Sequence, residues 1–404
     1  MDGLEVLPVR GIGDVTTGDD LADLISRNAP WLRDGDVLVV TSKIVSKAEG
    51  RLVEVPADGP EREVARAEVL AAETRRVVAR RGPTSIVQTH HGFVMAAAGI
   101  DASNVDKTHL VLLPADPDES ARRLRADLAA RGLHVGVIIS DTMGRAWRNG
   151  LTDVALGAAG IEPVRDHRGE IDPYGNELQL TQMAVIDELA AAGELVKGKC
   201  DQVPVAVVRG CPGAGTHDGP GAAILLRDAA SDMFSLGTDE ARAEGLRTAA
   251  TLADTATDRP ASAEAVQRAI TAAGLDGAVA APSPQTLRCT APDPSPAGLM
   301  RFGADVHRLR AALAAEGLAS AVAFDETGAT VAVSGGERTP MTSIAALDDA
   351  ATAAISSAAA ASTGDGAAAF AGAAAAGSAG DDETVDIPAG PAGGQSGPNR
   401  GEIR

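Results

Sequence analysis

The segment ISDTMGRAWRNG, residues 139–150, places an acid and a hydroxyl a few residues before two arginines. The carboxylate of Asp141 and the hydroxyl of Thr142 are hard oxygen ligands, which Mg²⁺ and Mn²⁺ bind together with water or substrate phosphate. Arg145 and Arg148 carry forked guanidinium groups that suit phosphate or carboxylate. Taken alone, the segment fits an Asx-type turn with solvated arginines better than a metal site, so other polar segments must be considered with it.

A second polar segment, TSKIVSKAEGRL (residues 41–52), offers small hydroxyls and two lysine ammonium groups directly after an apolar run. Such donors suit a phosphate, although the segment has too little glycine for a Walker A loop. The alternative interpretation is an exposed strand edge whose lysines prevent pairing with another strand. Both interpretations stay open at this point.

Three further segments carry weaker signals of function. RGIGDV (residues 10–15) has two glycines and could bring backbone N–H groups to a phosphate, although a plain turn is the better default. AGIDASNVDK (residues 98–107) presents Asp101 and Asn104 three positions apart, which a turn cap explains nearly as well. RDHRGEIDPYGNEL (residues 165–178) holds the only tyrosine of the chain and fits either a functional loop or a polar surface turn.

Apolar, β-branched runs precede most of these polar segments and predict strands that end where the polar groups begin. Strands are predicted at residues 36–40, 92–100, 109–114, 135–140 and 203–210. Helices are predicted at residues 18–30, 60–81, 117–131 and 182–195. Asp141 would then lie in a loop just beyond its strand. This alternation predicts an α+β (mixed α/β) enzyme core over residues 1–237.

The chain changes composition after that core. Residues 238–340 are Ala-rich, with helical patterns at 239–253, 262–273 and 304–316 and short strand candidates at 321–324 and 330–334, so we predict a small C-terminal α/β domain. Residues 341–404 are low-complexity Ala, Gly and Ser with an acidic patch, and we predict a disordered tail because such a segment buries little apolar surface. Helix propensity of the alanine runs is the competing interpretation for 350–376.

Charge and cysteine usage exclude several protein classes. The 404-residue chain has a formal charge of −20, which argues against nucleic acid or an anionic membrane as partner because both require a surplus of Lys and Arg. Three cysteines without C-x-x-C spacing indicate neither a disulfide framework nor a structural zinc site. With no signal-peptide pattern at the start and no long uncharged apolar run, we expect a cytoplasmic protein.

Across residues 1–237 the chain closely resembles the coenzyme F420-0:L-glutamate ligase family, which adds glutamates to the 5-deazaflavin cofactor F420. The matching segments are LPVRGIGDV, GDVLVVTSKIVSKAEGRLV, HGFVMAAAGIDASNV, ISDTMGRAWRNGLTDVALGAAGI, DPYGNEL and ELVKGK followed by VPVAVVRG. Six segments in the right order over more than half the chain make the resemblance specific. Within the family, the chain resembles the actinobacterial type.

The resemblance implies a GTP-dependent amide ligase. GTP would phosphorylate the terminal carboxylate of F420-0, and the amine of L-glutamate would attack the acyl phosphate, with release of GDP and phosphate. Further rounds would add γ-linked glutamates. The implied fold is a two-lobed α+β structure that forms a homodimer through intertwined sheets, and the implied metal is Mg²⁺ or Mn²⁺. A requirement for K⁺ stays open, as do the number of glutamates added and the preference between the two divalent ions.

The resemblance also implies roles for individual residues. The residues that would hold GTP are Ile12, Gly13, Asp14, Val15, Ser42, Lys47 and Asn104. The residues that would hold the divalent metal are Asp101, Asp141 and Thr142. Arg145 and Arg148 are added here as catalytic anion clamps for phosphate or substrate. A separate general base is not needed, because attack on an activated acyl phosphate mainly requires positioning and charge stabilisation.

The chain departs from the family after Gly237. Relatives of the mycobacterial type continue into a nitroreductase-like FMN domain, but here TLADTATDR stands where a basic run would grip the FMN phosphate. We therefore expect no FMN and interpret residues 238–340 as a shortened nitroreductase remnant or a lineage-specific domain. Two alternatives to the ligase hypothesis stay open, namely a non-catalytic GTP- and metal-binding module and a ligase of the same scaffold with another carboxylate acceptor.

Overall fold

The computed structural model describes residues 3–103, 105–199, 201–275 and 278–336. Helices and strands are both abundant in these residues, which confirms the mixed α+β class. None of the helices in this described part is long and apolar enough to cross a membrane. The predicted tail, residues 341–404, lies outside the described residues.

The elements up to residue 237 build the part of the chain that carries the candidate site. The strands are β1 (Glu5–Val9), β2 (Val37–Thr41), β3 (Leu52–Glu54), β4 (Thr74–Arg81), β5 (Thr84–Thr89), β6 (Val94–Ala96), β7 (His109–Val111), β8 (Gly136–Arg145), β9 (Arg148–Ala159), β10 (Val164–Asp166), β11 (Gln182–Ala184) and β12 (Val205–Arg209). The helices are α1 (Leu21–Asn28), α2 (Ser42–Ala48), α3 (Gly59–Ala72), α4 (Pro117–Ala129) and α5 (Val185–Lys197). Short sheets β3-β7, β4-β5-β6 and β10-β11 flank the main one.

The main sheet has the strand order β1-β12-β2-β8-β9. Strands β2 and β8 are parallel neighbours, and the other pairs are antiparallel. Residues 37–40 of β2 and 136–140 of β8 are entirely buried, as expected for strands that are covered on both faces. Because β2 and β8 run in the same direction, their carboxyl ends meet at one edge of the sheet.

Side chains of β2 alternate between two hydrophobic clusters, one on each face of the sheet. Leu38 and Val40 belong to the cluster that includes residues of α1 and α4, whereas Val37 and Val39 pack with residues of α5. A close approach fixes α5 on its face, since a Cβ atom at Gly193 would lie 2.9 Å from side-chain atoms of Val39. The glycine therefore lets the helix backbone lie directly against β2.

The sequence prediction missed strands β1, β3, β5, β9, β10 and β11 and was wrong at several element boundaries. Residues 182–184 of the helix predicted over 182–195 form β11, and only residues 94–96 of the strand predicted over 92–100 are a strand. Two further boundary errors bear on β8 and β4. Strand β8 does not end at residue 140 but runs on to Arg145 and pairs with β9, so Asp141 and Thr142 lie in a strand rather than in a loop. Residues 141–145 lack an apolar pattern, but backbone pairing with β9 extends the strand regardless of side-chain polarity. The helix predicted over residues 60–81 ends at Ala72, and Thr74–Arg81 is strand β4, which is paired with β5.

The C-terminal region contains α6 (Thr238–Ala250), α7 (Ala263–Ala272), β13 (Val279–Ser283), β14 (Thr286–Thr290), α8 (Pro296–Ala315), β15 (Leu318–Asp325) and β16 (Gly328–Gly335). The strands form an antiparallel sheet in the order β13-β14-β16-β15. Leu287 and Val331 of this sheet pack in one core with Leu309 and Leu313 of α8 and Ile270 of α7. The predicted small C-terminal α/β region is confirmed, although the hairpin β13–β14 was not predicted.

Candidate functional site

The candidate site lies where β2 and β8 end at the same edge of the main sheet. Thr41 of β2 is in register with Ser140 of β8, so the next residues on the two strands, Ser42 and Asp141, are brought together. The Ser42 hydroxyl donates a hydrogen bond of 2.6 Å to Oδ2 of Asp141. Ligand sites of α/β sheets commonly form at such strand ends. Parallel pairing therefore joins the two polar segments.

The segment after β2 is helical. Helix α2 begins at Ser42, so Lys43 and Lys47 lie one turn apart on the same face of the helix and both line a pocket beside the strand ends. Lys43 reaches the second acid of the predicted metal set, because its Nζ lies 2.6 Å from Oδ2 of Asp101 and 2.7 Å from Oγ of Ser103. The alternative interpretation of this segment as an exposed strand edge is wrong.

Asp101 is held in place by its backbone and is partly exposed. Its backbone N–H and C=O form a bridge of 2.9 and 2.8 Å with Val111. Burial acts to raise the pKa of Asp101, but hydrogen bonds from Lys43 and Ser103 and the charge of Lys43 lower it overall. Asp101 is therefore ionised and is already engaged by an ammonium group.

Asp141 has the opposite electrostatic balance. Burial raises the pKa of this carboxyl and outweighs the hydrogen bonds from Ser42 and from the Thr142 backbone, and the negative charges of Asp153 and Asp101 act in the same direction as burial. Asp101 and Asp141, which are distant in sequence, are therefore close enough in space to repel each other. A divalent cation between such carboxylates would remove the repulsion.

The pocket has more lysines than acids in its lining, although the chain as a whole is acidic. Its lining includes four lysines and two acids together with the hydroxyl of Thr142, namely Lys43, Lys47, Lys197, Lys199, Asp14 and Glu194. Clustered ammonium groups in one concave site attract phosphate groups. This local surplus of positive charge is what binding of a nucleotide requires in a chain with a formal charge of −20.

The structure brings most of the predicted GTP residues to this pocket. Gly13, Asp14, Val15 and Lys47 line it. Ser42 does not line it, although its neighbours Thr41 and Lys43 do, and its hydroxyl is bonded to Asp141. Ile12 is 5% exposed and belongs to the hydrophobic core instead of the pocket lining. Asn104 lies outside the described residues.

The two predicted anion clamps lie elsewhere in the described chain. Arg145 and Arg148 flank the tip of the β8–β9 hairpin and are exposed, and Arg145 donates a 3.3 Å hydrogen bond to the backbone carbonyl of Asn149. Along an extended strand, four residues separate Arg145 from Asp141 by roughly 13 Å. Neither arginine lines the pocket of its own chain.

Four residues of the site were missed by sequence reasoning. Lys197 and Asp153 form a buried ion pair of 2.8 Å, and Lys199 lies 2.7 Å from Glu194 and donates a 2.6 Å hydrogen bond to Oγ1 of Thr142. Although burial acts to raise the pKa of Asp153, the charge of Lys197 and hydrogen bonds from Lys197, Thr142 and Ser140 lower it. Two features of the sequence could have identified these residues. One is the acid within the otherwise apolar run after residue 151, and the other is the pair of lysines in ELVKGK.

The residues present fit a hard divalent cation with an incomplete protein shell. Within the described residues, no group of three or more His, Cys, Asp or Glu side chains is placed to hold a metal ion. Asp101, the half-buried Asp141 and the Thr142 hydroxyl instead offer a partial set of hard oxygen ligands, and the charge repulsion that contributes to the raised pKa of Asp141 would be relieved by a cation. Mg²⁺ is typically held in this way, by one or two carboxylates together with water and substrate phosphates.

Comparison with known proteins identifies the family. Residues 11–210 match the family model described as F420-0:Gamma-glutamyl ligase. The chain is 41% identical over 250 residues to coenzyme F420:L-glutamate ligase of Methanothermobacter thermautotrophicus, which covers 57% of this chain and 99% of that protein. It is 42% identical over 238 residues to the protein of the same name from Halobacterium salinarum, covering 54% of this chain and 90% of the relative. The chain therefore belongs to the F420-0:gamma-glutamyl ligase family.

Proposed function

We propose that this protein is a GTP-dependent amide ligase that joins L-glutamate to coenzyme F420-0 and then adds γ-linked glutamates. The observation that carries the proposal is the meeting of hard oxygen groups and lysines at the carboxyl ends of β2 and β8, where Ser42 bonds Asp141 and Lys43 bonds Asp101. The names of the relatives, coenzyme F420:L-glutamate ligase, supply the acceptor and the amino acid.

The charge of the pocket fits a triphosphate next to a carboxylate. Terminal phosphate oxygens and the acceptor carboxylate repel each other, so they meet only where positive groups surround both. Lys43, Lys47 and Lys199 line the pocket and can offer ammonium hydrogens to phosphate oxygens. The Lys199 side chain is 65% exposed, so it can move from Thr142 to a nucleotide without disturbing the core.

The loop after β1 supplies room for close approach. Gly13 has a φ of 73°, and a Cβ atom at this position would have no heavy atom within 4 Å. Glycine therefore allows the turn and leaves the backbone open to the pocket, which Asp14 and Val15 also line. We propose that this loop holds part of the nucleotide.

The proposed reaction has two steps. The terminal carboxylate of F420-0 attacks the γ-phosphorus of GTP, the bond from that phosphorus to the bridging oxygen breaks, and GDP leaves. The neutral amine of L-glutamate then forms a C–N bond with the acyl carbon, phosphate leaves with the electron pair of the C–O bond, and a proton passes to solvent. Mg²⁺ or Mn²⁺, when bound, would neutralise charge on the phosphate oxygens.

The side chains of this protein position the reactants. Asp101, Asp141 and Thr142 would hold the divalent ion, and Ser42 orients the Asp141 carboxylate through its 2.6 Å hydrogen bond. We propose no general base, since positioning and charge stabilisation account for attack on an acyl phosphate. Arg145 and Arg148 lie at the exposed hairpin tip, so a role as anion clamps would require a substrate or a second subunit that reaches that tip.

Exposed apolar side chains support the proposal of a homodimer. Trp147 at the hairpin tip is 81% exposed and Leu151 is 69% exposed. The Trp147 ring meets Phe234 edge-on at 4.7 Å, and Phe234 is itself 58% exposed. Clusters of exposed apolar residues are typical of protein interfaces, and a second copy of this chain is the proposed partner.

The test is a reconstituted reaction. Purified protein is incubated with GTP, MnCl₂ or MgCl₂, L-glutamate and F420-0, each component is omitted in turn, and products are identified by mass spectrometry while free phosphate is measured. We expect glutamylated F420 and phosphate only in the complete mixture. Nucleotide binding without product would instead indicate a binding module, and product only from another acceptor in a carboxylate panel would change the substrate.

A further inference from the structure

A lysine and an aspartate are buried together behind the pocket. The side chains of Lys197, at the end of α5, and Asp153, in β9, are each 2% exposed, and Lys197 Nζ lies 2.8 Å from Asp153 Oδ2. Lysine and aspartate are almost never buried to this degree unless they are paired. Replacing a buried ion pair by apolar residues often leaves a protein equally stable, so stability alone is a weak explanation for such a pair.

The pair is the centre of a hydrogen-bond network that reaches Thr142. Lys197 donates to Ser140 Oγ at 2.9 Å as well as to Asp153, and Glu194 Oε2 lies 3.3 Å from the ammonium nitrogen. Ser140 donates to Asp153 Oδ2 at 2.9 Å. Thr142, which is the cross-strand partner of Asp153, donates to Asp153 Oδ1 at 2.7 Å.

The number of available protons determines how the Thr142 hydroxyl is oriented. A lysine ammonium has three hydrogens and accepts none, and a hydroxyl has one hydrogen and two acceptor positions. With Lys197 and Ser140 both donating to Asp153, the carboxylate can act only as an acceptor, so the Thr142 hydrogen points to it. The oxygen lone pairs of Thr142 are then directed away from Asp153, and Lys199 donates to that oxygen on the pocket side at 2.6 Å.

We propose that Asp153, held by Lys197, is a positioning residue for the candidate cation and phosphate site. It keeps the Thr142 hydroxyl proton out of the pocket, so that the oxygen of Thr142 faces the pocket as a hard acceptor. This inference rests on the proposed function, because it assigns to the Asp153–Lys197 pair the orientation of a group in the proposed metal set.

The test measures Mn²⁺ binding, which does not require turnover. In Asp153→Asn, Lys197 and Ser140 are both donors, so the amide oxygen of the asparagine faces them and its NH₂ group faces Thr142. The NH₂ group then donates to the Thr142 oxygen, and the Thr142 hydroxyl hydrogen must point toward the pocket. We expect the Kd for Mn²⁺ alone, measured from the electron paramagnetic resonance signal of free Mn²⁺, to rise at least tenfold. Thr142→Val should raise it to a similar extent, and Thr142→Ser, which keeps the hydroxyl, should stay within threefold of the wild type.

A double variant separates action through Thr142 from independent action. If Asp153 acts by orienting Thr142, then adding Asp153→Asn to Thr142→Val raises the Mn²⁺ Kd by less than twofold more. A further tenfold loss in that background would overturn the proposal. Should Asp153→Asn fail to fold because Lys197 loses its buried carboxylate partner and keeps only the more distant Glu194, Asp153→Leu combined with Lys197→Met removes both buried charges and the acceptor of Thr142. A folded double variant with wild-type Mn²⁺ affinity would also overturn it.

The matched control is another buried acid in the same sheet. Asp36, at the amino end of β2, is 2% exposed and accepts two hydrogen bonds of 2.8 Å from Arg209. We expect Asp36→Asn to lower the Tm but to leave the Mn²⁺ Kd within twofold, since it breaks a buried pair far along the strand from the pocket.

The outcomes distinguish this proposal from the proposed function. If the wild type forms glutamylated F420 and Asp153→Asn binds Mn²⁺ like the wild type, the positioning role is wrong and the ligase function stands. If the Mn²⁺ affinities follow the pattern above but no ligation product forms, the ligase function is wrong and the positioning role stands. A wild-type protein that binds no Mn²⁺ overturns the positioning role.

Discussion

Substitution of Asp141 by asparagine separates the contribution of this residue to the fold from its contribution to the site. Because burial raises the pKa of Asp141, the ionised carboxylate is less favourable in the folded protein than in the unfolded chain. Asparagine removes that charge and keeps the shape. The amide oxygen of the asparagine can accept from the Thr142 backbone N–H, as the carboxylate does. Its NH₂ group can donate to Ser42 Oγ, so this hydrogen bond is kept with donor and acceptor exchanged.

The expected effect of Asp141→Asn on stability is small, because two contributions oppose each other. A hydrogen bond that is rearranged within a polar site costs on the order of 1 kcal/mol, and removal of the repulsion from Asp101 and Asp153 acts in the opposite direction. We therefore expect the free energy of unfolding of Asp141→Asn at pH 7 to equal that of the wild type within about 1 kcal/mol, or to exceed it.

The pH dependence follows from the direction of the shift. A carboxyl group whose pKa is raised on folding binds its proton more tightly in the folded state, so wild-type stability falls as pH rises from the unfolded pKa, about 3.9, to the raised folded pKa. Asparagine has no proton to lose. The difference in unfolding free energy between Asp141→Asn and the wild type should therefore change in favour of the variant across that window and stay constant above it.

In contrast to its stability, the turnover of Asp141→Asn should fall sharply. Loss of one anionic oxygen ligand from a site with two carboxylates should lower the turnover of the proposed reaction at least ~100-fold, which corresponds to about 2.7 kcal/mol. The assays are thermal unfolding from pH 4 to 8 in EDTA and phosphate release with GTP, Mn²⁺, L-glutamate and F420-0. Unchanged turnover, or a variant that is several kcal/mol less stable than the wild type at pH 7, would refute this reasoning.

Three other predictions concern the nucleotide, the packing of α5 and the dimer. Lys47→Ala should raise the KM for GTP ~10-fold with little change in Tm, because the ammonium group lines the pocket, and steady-state kinetics will check it. Gly193→Ala should lower the free energy of unfolding, measured in urea, by ~1–3 kcal/mol, because the new methyl group would meet Val39 at 2.9 Å. The control is Gly245→Ala in α6, where the space around the glycine is open, and this substitution should be neutral or stabilising. Trp147→Ser should shift the protein toward monomer in light scattering, because it removes a ring that is 81% exposed; an unchanged mass would contradict a dimer through the hairpin tip.

Local sequence patterns predicted those elements in which the residue types themselves indicate burial or a helix start. The apolar runs at β2, β8 and β12 are buried on both faces, and their alternating residues pack on opposite sides of the sheet. Asp116 and Pro117 predicted the start of α4, where the Asp116 side chain accepts from the Glu119 backbone N–H. In contrast, the charged pattern of residues 74–81 satisfied a helix as well as a strand, and only pairing with β5 decided between them.

The sequence alone determined the family, the mixed α+β class, the three inner strands of the main sheet (β2, β8 and β12) and the chemical types of the polar segments, because motifs and periodicities are properties of neighbouring residues. The tertiary structure decided which of those groups meet. Ser42 and Asp141 are 99 residues apart, and Lys197 and Asp153 are 44 apart, yet each pair forms a direct contact. Parallel pairing of β2 with β8 joined the first pair, and the close packing of α5 on the sheet joined the second. Strand pairing also places Arg145 and Arg148 at the hairpin tip, because hydrogen bonds between β8 and β9 keep the chain extended where the sequence had predicted a turn.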